Sequence, residues 1–253
     1  DELLRTGPLA PLIALVMTAG AVAGVANAIN IIDGFNGLAG MVALMILAAL
    51  GCVAYQLGDH LLTNICLAST GALLGFFVWN YPRGHIFLGD GGAYLIGFLI
   101  GEASVLLVKR HPEVSPWFPM LLVVYPVTET VFSMYRRLII RKASPGLPDA
   151  LHLHTLIFKR VVRPPRATES DALRRRNSAT SPYLWLLCSF SIIPAVLFWQ
   201  RTPILIGFTL AFVVLYVWLY RQIIRFRTKW LPTARPAKSS PPNPARPDHG
   251  QVQ

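Results

Sequence analysis

Asn27-Ala28-Ile29-Asn30-Ile31-Ile32-Asp33-Gly34-Phe35-Asn36-Gly37-Leu38-Ala39-Gly40 is the stretch on which the fold turns. Three asparagines, an aspartate and three glycines stand between two long apolar runs. A connection at a membrane edge does not need that density of polar side chains. Glycine lets the backbone turn tightly or approach a ligand closely. Asn and Asp side chains suit hard cations, phosphate-linked sugars and base edges. An Asp-Gly pair alone reads as an ordinary turn before a helix cap. The whole of 27–40 is therefore expected to be a polar loop between two spans, and the rest of the chain decides what it is for.

Moving outward, apolar runs occupy 8–26, 38–57, 62–79, 93–108, 117–135, 183–199 and 204–220. Each is long enough to cross, or nearly cross, about 30 Å of hydrocarbon as a helix. Of the 253 residues, 54% are hydrophobic and 14% charged, whereas a soluble domain carries roughly 25% charged residues. The fold class is all-α: a polytopic integral membrane helical bundle of about seven transmembrane helices. Residues 1–230 form the membrane domain, and 231–253, rich in Pro, Ser, Arg and Ala, is expected to be a disordered tail.

Seven spans sort the loops onto two sides. One side collects 19 Lys and Arg and the other 4, which makes the first side cytoplasmic. The net charge of +11 then reflects this bias and contact with anionic membrane lipids, and no nucleic-acid partner is expected. Cys52, Cys66 and Cys188 all lie in apolar runs and read as small buried hydrophobes, not as a disulfide framework.

Three further polar sites fall on the same side as 27–40. Gly89-Asp90-Gly91-Gly92 puts a lone acid at the entry to the fourth span. There it either caps the helix or holds Mg²⁺ that in turn holds phosphate. His152-Leu153-His154, followed by Lys159-Arg160, has no third close metal ligand; it suits phosphate oxygens better than zinc. Pro126-Val127-Thr128-Glu129 places an acid late in the fifth span, where an acid is costly and marks function by default. Glu102, deeper in the fourth span, is expected to make a structural pair inside the bundle. A hard-cation site and a phosphate site at one membrane face suggest transfer of a phosphosugar from a soluble nucleotide to a lipid phosphate.

The order of these motifs resembles the polyprenyl-phosphate N-acetylhexosamine-1-phosphate transferases, and most of all the branch acting on undecaprenyl phosphate and UDP-GlcNAc. The likeness runs over about 8–220. It implies transfer of HexNAc-1-phosphate from a UDP-N-acetylhexosamine to undecaprenyl phosphate, with release of UMP. That reaction initiates lipid-linked envelope polysaccharide, and the resemblance sets it in the bacterial inner membrane with the site facing the cytoplasm. It implies Mg²⁺, with Mn²⁺ as a substitute, held by Asp90. Asp33, Asp90, His152 and His154 match catalytic positions; Asn27, Asn30, Asn36, Gly89, Glu129, Lys159 and Arg160 match substrate-binding ones. A homodimer is compatible with it.

Departures from the family pattern are specific. Asn36 stands where many members have a second acid, Gly91-Gly92-Ala93 replaces a Ser/Thr-Gly-Ser, and Thr155 replaces a histidine. The family's adjacent Asp-Asp pair has no counterpart in the 253 residues. The chain is therefore expected to be the C-terminal part of a longer enzyme. UDP-GlcNAc is the default donor, with UDP-GalNAc, UDP-FucNAc and UDP-QuiNAc open. A transporter and a non-catalytic scaffold are the competing readings; a transporter would place its polar groups near the midplane.

Overall fold

A computed structural model of the chain describes residues 9–140, 151–162 and 170–225. The expected tail, and Asp149 beside the histidines, lie outside them. The described residues form helices and turns with no strand, as lipid requires, because a lone helix satisfies every backbone group within itself. The helices are α1 Ala10–Ile32, α2 Leu38–Gln56, α3 His60–Asn80, α4 Gly89–Arg110, α5 Trp117–Leu122, α6 Val124–Tyr135, α7 Leu153–Arg160, α8 Ser170–Ser178, α9 Ser181–Leu197 and α10 Thr202–Arg225. Six helical runs are long and apolar enough to span a membrane. The seventh expected span is interrupted: α5 and α6 meet at Val123, whose backbone is out of helical geometry, and α6 runs on as a π-helical turn, Arg136–Ile140.

At the centre is α2. Leu38, Ala39, Val42, Ala43, Ile46, Leu47 and Val53 are fully buried, between α3, α4 and α9. By contrast, α1 shows Leu12, Leu15, Val16 and Met17 to the surroundings and packs on α4. That contact depends on missing side chains. A Cβ at Gly97 would stand 2.6 Å from Ala26 Cα, and one at Gly101 3.2 Å from Val22 Cα. Small residues allow this approach where no hydrophobic effect drives helices together in lipid.

The polar stretch that opens the sequence is not a loop throughout. Helix α1 continues to Ile32, so Asn27 and Asn30 are helical, and only Asp33 to Gly37 turn. The run Ala28-Ile29 and Ile31-Ile32 keeps the apolar face going past the first asparagine; Ala28, Ile29 and Ile32 are buried. Similarly α4 starts at Gly89, four residues before the expected boundary, so Asp90 sits in its first turn.

A clasp closes the opposite end of the bundle. Asp59 caps α3 by accepting the Leu62 amide at 3.1 Å, and it takes Arg110 Nε at 2.7 Å and His111 Nε2 at 2.9 Å. Burial raises its carboxyl, but the bonds from His111, Leu62 and Arg110, with the charge of Arg110, hold it well below the usual carboxylate range. The pairing expected for Glu102 is not formed: among the described residues it has no hydrogen bond or ion pair and is half-buried in α4.

Candidate active site

Two clusters form where the spans end on the side of the polar stretch. In the first, Asn30 Nδ2 in the last turns of α1 donates to Asp90 Oδ1 at 2.9 Å. The bond crosses from α1 to the first turn of α4, so Asp90 accepts from a neighbouring helix instead of capping its own; no side chain caps α4. Asp33 follows on the turn. Burial, and then the negative charge of Asp90, raise its carboxyl to about 6.

The second cluster is built on Glu129. This side chain is 1% exposed on α6. Its Oε1 accepts the Leu153 amide at 2.8 Å and meets His152 Nδ1 at 3.0 Å. The His152 and His154 rings stack, with centroids 5.1 Å apart and planes 9° from parallel. Burial lowers His154 to about 4, with the charge of Glu129 opposing and His152 adding to the fall.

The turn joins the clusters. Phe35 sets its ring edge-on to His154 at 5.4 Å, and a Cβ on Gly34 would lie 3.5 Å from His154 Nε2. Thus Asn30, Asp33, Asp90, His152 and His154 come to one place, as the chain order alone could not show.

Other residues read as substrate-binding are placed differently. Asn36 is buried: its amide N–H donates to Asn177 Oδ1 at 2.8 Å, its Nδ2 donates to Pro82 O at 3.3 Å, and its carbonyl accepts Ser181 Oγ at 2.6 Å. It ties the turn to α8 and α9. Gly84, at φ +63°, lies against the Asn36 amide, where a Cβ would come within 2.7 Å. Arg160 Nη1 holds the carbonyls of Ile223 and Ile224 at 2.8 and 2.6 Å, near the end of α10. Glu129 faces protein, not a cleft. Asn27 is exposed on α1, and Gly89 is exposed at φ +66°, a backbone that favours glycine. Lys159 is exposed on α7.

Several contributors were missed in the sequence. Asn80 Oδ1 accepts the Gly37 amide at 2.6 Å while its Nδ2 donates to Ile86 O at 2.7 Å, and Trp185 Nε1 donates to Gly37 O at 3.1 Å. Arg136 Nη1 donates to Leu151 O at 2.6 Å and to the Tyr220 hydroxyl, and Tyr220 donates to the same Leu151 carbonyl at 3.2 Å. Seven residues separate Glu129 from Arg136, which puts both on one helix face; that spacing was available as a signal.

An apolar groove of about 830 Å³ runs between α7, α9 and α10. Leu153, Ile157, Tyr183, Pro194, Phe208 and Leu219 are among its walls. It starts at the histidines, since Leu153 lies between them.

Fold and site together define a multi-pass, all-helical membrane protein with acids and histidines gathered at one end of its spans. Comparison with known proteins narrows the class. Residues 3–108 match the profile of glycosyl transferase family 4. The undecaprenyl-phosphate alpha-N-acetylglucosaminyl 1-phosphate transferase of Thermotoga maritima is 32% identical over 112 residues, 41% of this chain and 37% of that protein. The Escherichia coli (strain K12) protein of the same name is 36% identical over 121 residues, 44% of this chain and 32% of its own length. A Bacillus subtilis protein named as a probable undecaprenyl-phosphate N-acetylglucosaminyl 1-phosphate transferase is 32% identical over 109 residues, 43% of this chain and 30% of its own. The chain thus spans about a third of the length of the relatives it matches. The resemblance to this transferase family holds, and the profile covers Asn30, Asp33 and Asp90 but stops short of Glu129 and the histidines.

Proposed function

We propose that this protein transfers an N-acetylhexosamine 1-phosphate from a UDP-sugar to undecaprenyl phosphate and releases UMP. The observation that carries the reading is the meeting of Asn30, Asp33 and Asp90 with His152 and His154 across Gly34 and Phe35. In the reaction an oxygen of the lipid phosphate bonds to the β-phosphorus of the UDP-sugar, and the bond from that phosphorus to UMP breaks. Both reactants are anions, so the site must lower their repulsion.

The donor set suits Mg²⁺, with Mn²⁺ as a substitute. Burial and the negative charge of Asp90 raise the cost of ionising Asp33, and among the described residues neither acid has a cationic partner. Among the described residues no group of three or more His, Cys, Asp or Glu side chains forms a cage. Mg²⁺ is commonly held by one or two carboxylates plus phosphates and waters, without such a cage. Asp90 would be its ligand, with Asp33 beside it; when bound, the ion neutralises phosphate charge and favours departure of UMP.

The chain's own groups do the rest. Asn30 fixes one oxygen of Asp90 and leaves the other free to face a ligand. His152 and His154 offer ring nitrogens to phosphate oxygens, in a setting where fixed donors outperform water. Lys159 adds charge at the same end. The groove beginning at Leu153 gives a polyprenyl tail an apolar bed that leads its phosphate to the histidines. The Lys and Arg bias supports a cytoplasmic setting for this end, where nucleotide sugars are found.

Release of UMP by the full-length protein from UDP-GlcNAc, UDP-GalNAc, UDP-FucNAc and UDP-QuiNAc, with undecaprenyl phosphate and Mg²⁺, tests the reading and selects the donor. Asp90→Asn is expected to lower turnover at least about 100-fold. Unchanged turnover in Asp90→Asn would remove the metal role, and no UMP from any donor would favour a transporter or scaffold.

A further inference from the structure

Among the described residues Glu129 is the one spanning carboxylate bonded to the histidine motif, and its geometry is that of a holder. Its Oε1 accepts the Leu153 amide, which can only donate, at 2.8 Å. The same oxygen lies 3.0 Å from His152 Nδ1. An oxygen already accepting one hydrogen bond meets a ring nitrogen favourably only if that nitrogen carries a proton. The other ring nitrogen, Nε2, makes no hydrogen bond among the described residues, and the His152 side chain is 13% exposed.

The surroundings keep this arrangement in register. The carbonyl one residue before His152 is gripped by Arg136 and Tyr220. The amide one residue after it is gripped by Glu129. Three elements, α6, the π-helical turn and α10, therefore fix three consecutive residues of the motif. His154 stacks against one face of the ring, and the buried hydroxyls of Tyr125 and Tyr216 stand around the same carboxylate.

We infer that Glu129 is a positioning residue: it locks His152 in the form with the proton on Nδ1 and turns Nε2 toward the substrate phosphates. In a neutral imidazole the hydrogen bond of one ring nitrogen sets the state of the other. Gln at 129 can still accept through its oxygen, but it has no charge and can rotate to present its NH₂ group. Lost charge and lost tautomer preference would show first in the chemical step, not in donor binding. The consequence for turnover rests on the transferase reading; the tautomer does not.

The test begins with the 253-residue protein in detergent micelles, labelled with ¹⁵N-histidine, with His152 assigned by its loss in His152→Gln. The expected spectrum at neutral pH shows His152 protonated at Nδ1, and the signal moves toward a tautomer mixture in Glu129→Gln. A wild-type His152 bare at Nδ1 overturns the inference without any variant at 129. In the activity arm, Glu129→Gln is expected to lower kcat for UMP release roughly 10- to 100-fold. KM for the UDP-sugar should stay within about threefold, and Glu129→Asp should recover part of the loss. A KM effect with unchanged kcat would make Glu129 a substrate ligand and overturn the inference. A full-length wild-type protein that shows the tautomer but releases no UMP would sink the transferase reading and leave the tautomer standing.

Discussion

At the scale of single residues, Asp33 and His154 carry opposite pH dependences into one site. His154 ordinarily titrates at 6.5 and is lowered to about 4 by burial. Below the ordinary value the unfolded chain takes a proton that the folded one refuses, so this group's contribution to stability falls as pH falls toward 4. Asp33 ordinarily titrates at 3.8 and is raised to about 6. Between those values the folded chain keeps a proton that the unfolded one releases, so this contribution falls as pH rises. His154→Gln should therefore reduce the acid-side loss of thermal stability, with Asp59 still contributing to it, and Asp33→Asn should steepen it. Thermal unfolding in micelles with chelator, from pH about 4 to about 7, reads both signs. The same residues show what sequence can carry. Asp33, Asp90 and the two histidines stood out because an acid or imidazole among glycines or apolar side chains is costly without a purpose. Asn36 stood out for the same reason, but its partners Asn177 and Ser181 lie 141 and 145 residues away. No local pattern foretells such a partner, so a structural staple looked like a ligand.

At the scale of elements, seven expected spans became six continuous ones and a broken one. The stretch 117–135 is apolar enough to read as one span, yet Pro126 has no amide to give the carbonyl of Leu122 and so marks the interruption at Val123; the π-helical turn beyond left no such sign. Such turns often mark functional sites, and this one delivers Arg136 to the histidine motif. The boundaries of α1 and α4 were also misread, in both cases because polar residues inside a helix look like a loop when only composition is considered. Two substitutions separate the roles of the ends. Gly97→Leu forces α1 from α4, at a cost of about 1–3 kcal/mol. It should also lower turnover, because Asn30 and Asp90 lie on those two helices. Asp59→Asn breaks the clasp on the far side. It should lower the midpoint of thermal unfolding while kcat stays within about twofold, since no group of the clasp reaches the site.

At the scale of the whole molecule, the site is a meeting of distant parts. Residues 30, 33 and 90 come from the first half of the chain, and 129, 152 and 154 from the second. All-α membrane architecture was legible, because lipid allows few alternatives, and so was the gathering of the motifs at one end of the spans. The assembly was not legible, because it depends on which helices touch. The last helix shows this most plainly. Its Tyr220 holds the carbonyl before His152, and its final carbonyls receive Arg160 from α7. A clone ending after residue 215 would retain every recognisable signature yet lack the anchor for the histidine segment. It should insert in membranes, and protease cutting near His152, read by mass spectrometry, should become much faster than in the full chain. Sequence alignments that stop at the last signature leave out the helix on which the histidine segment rests.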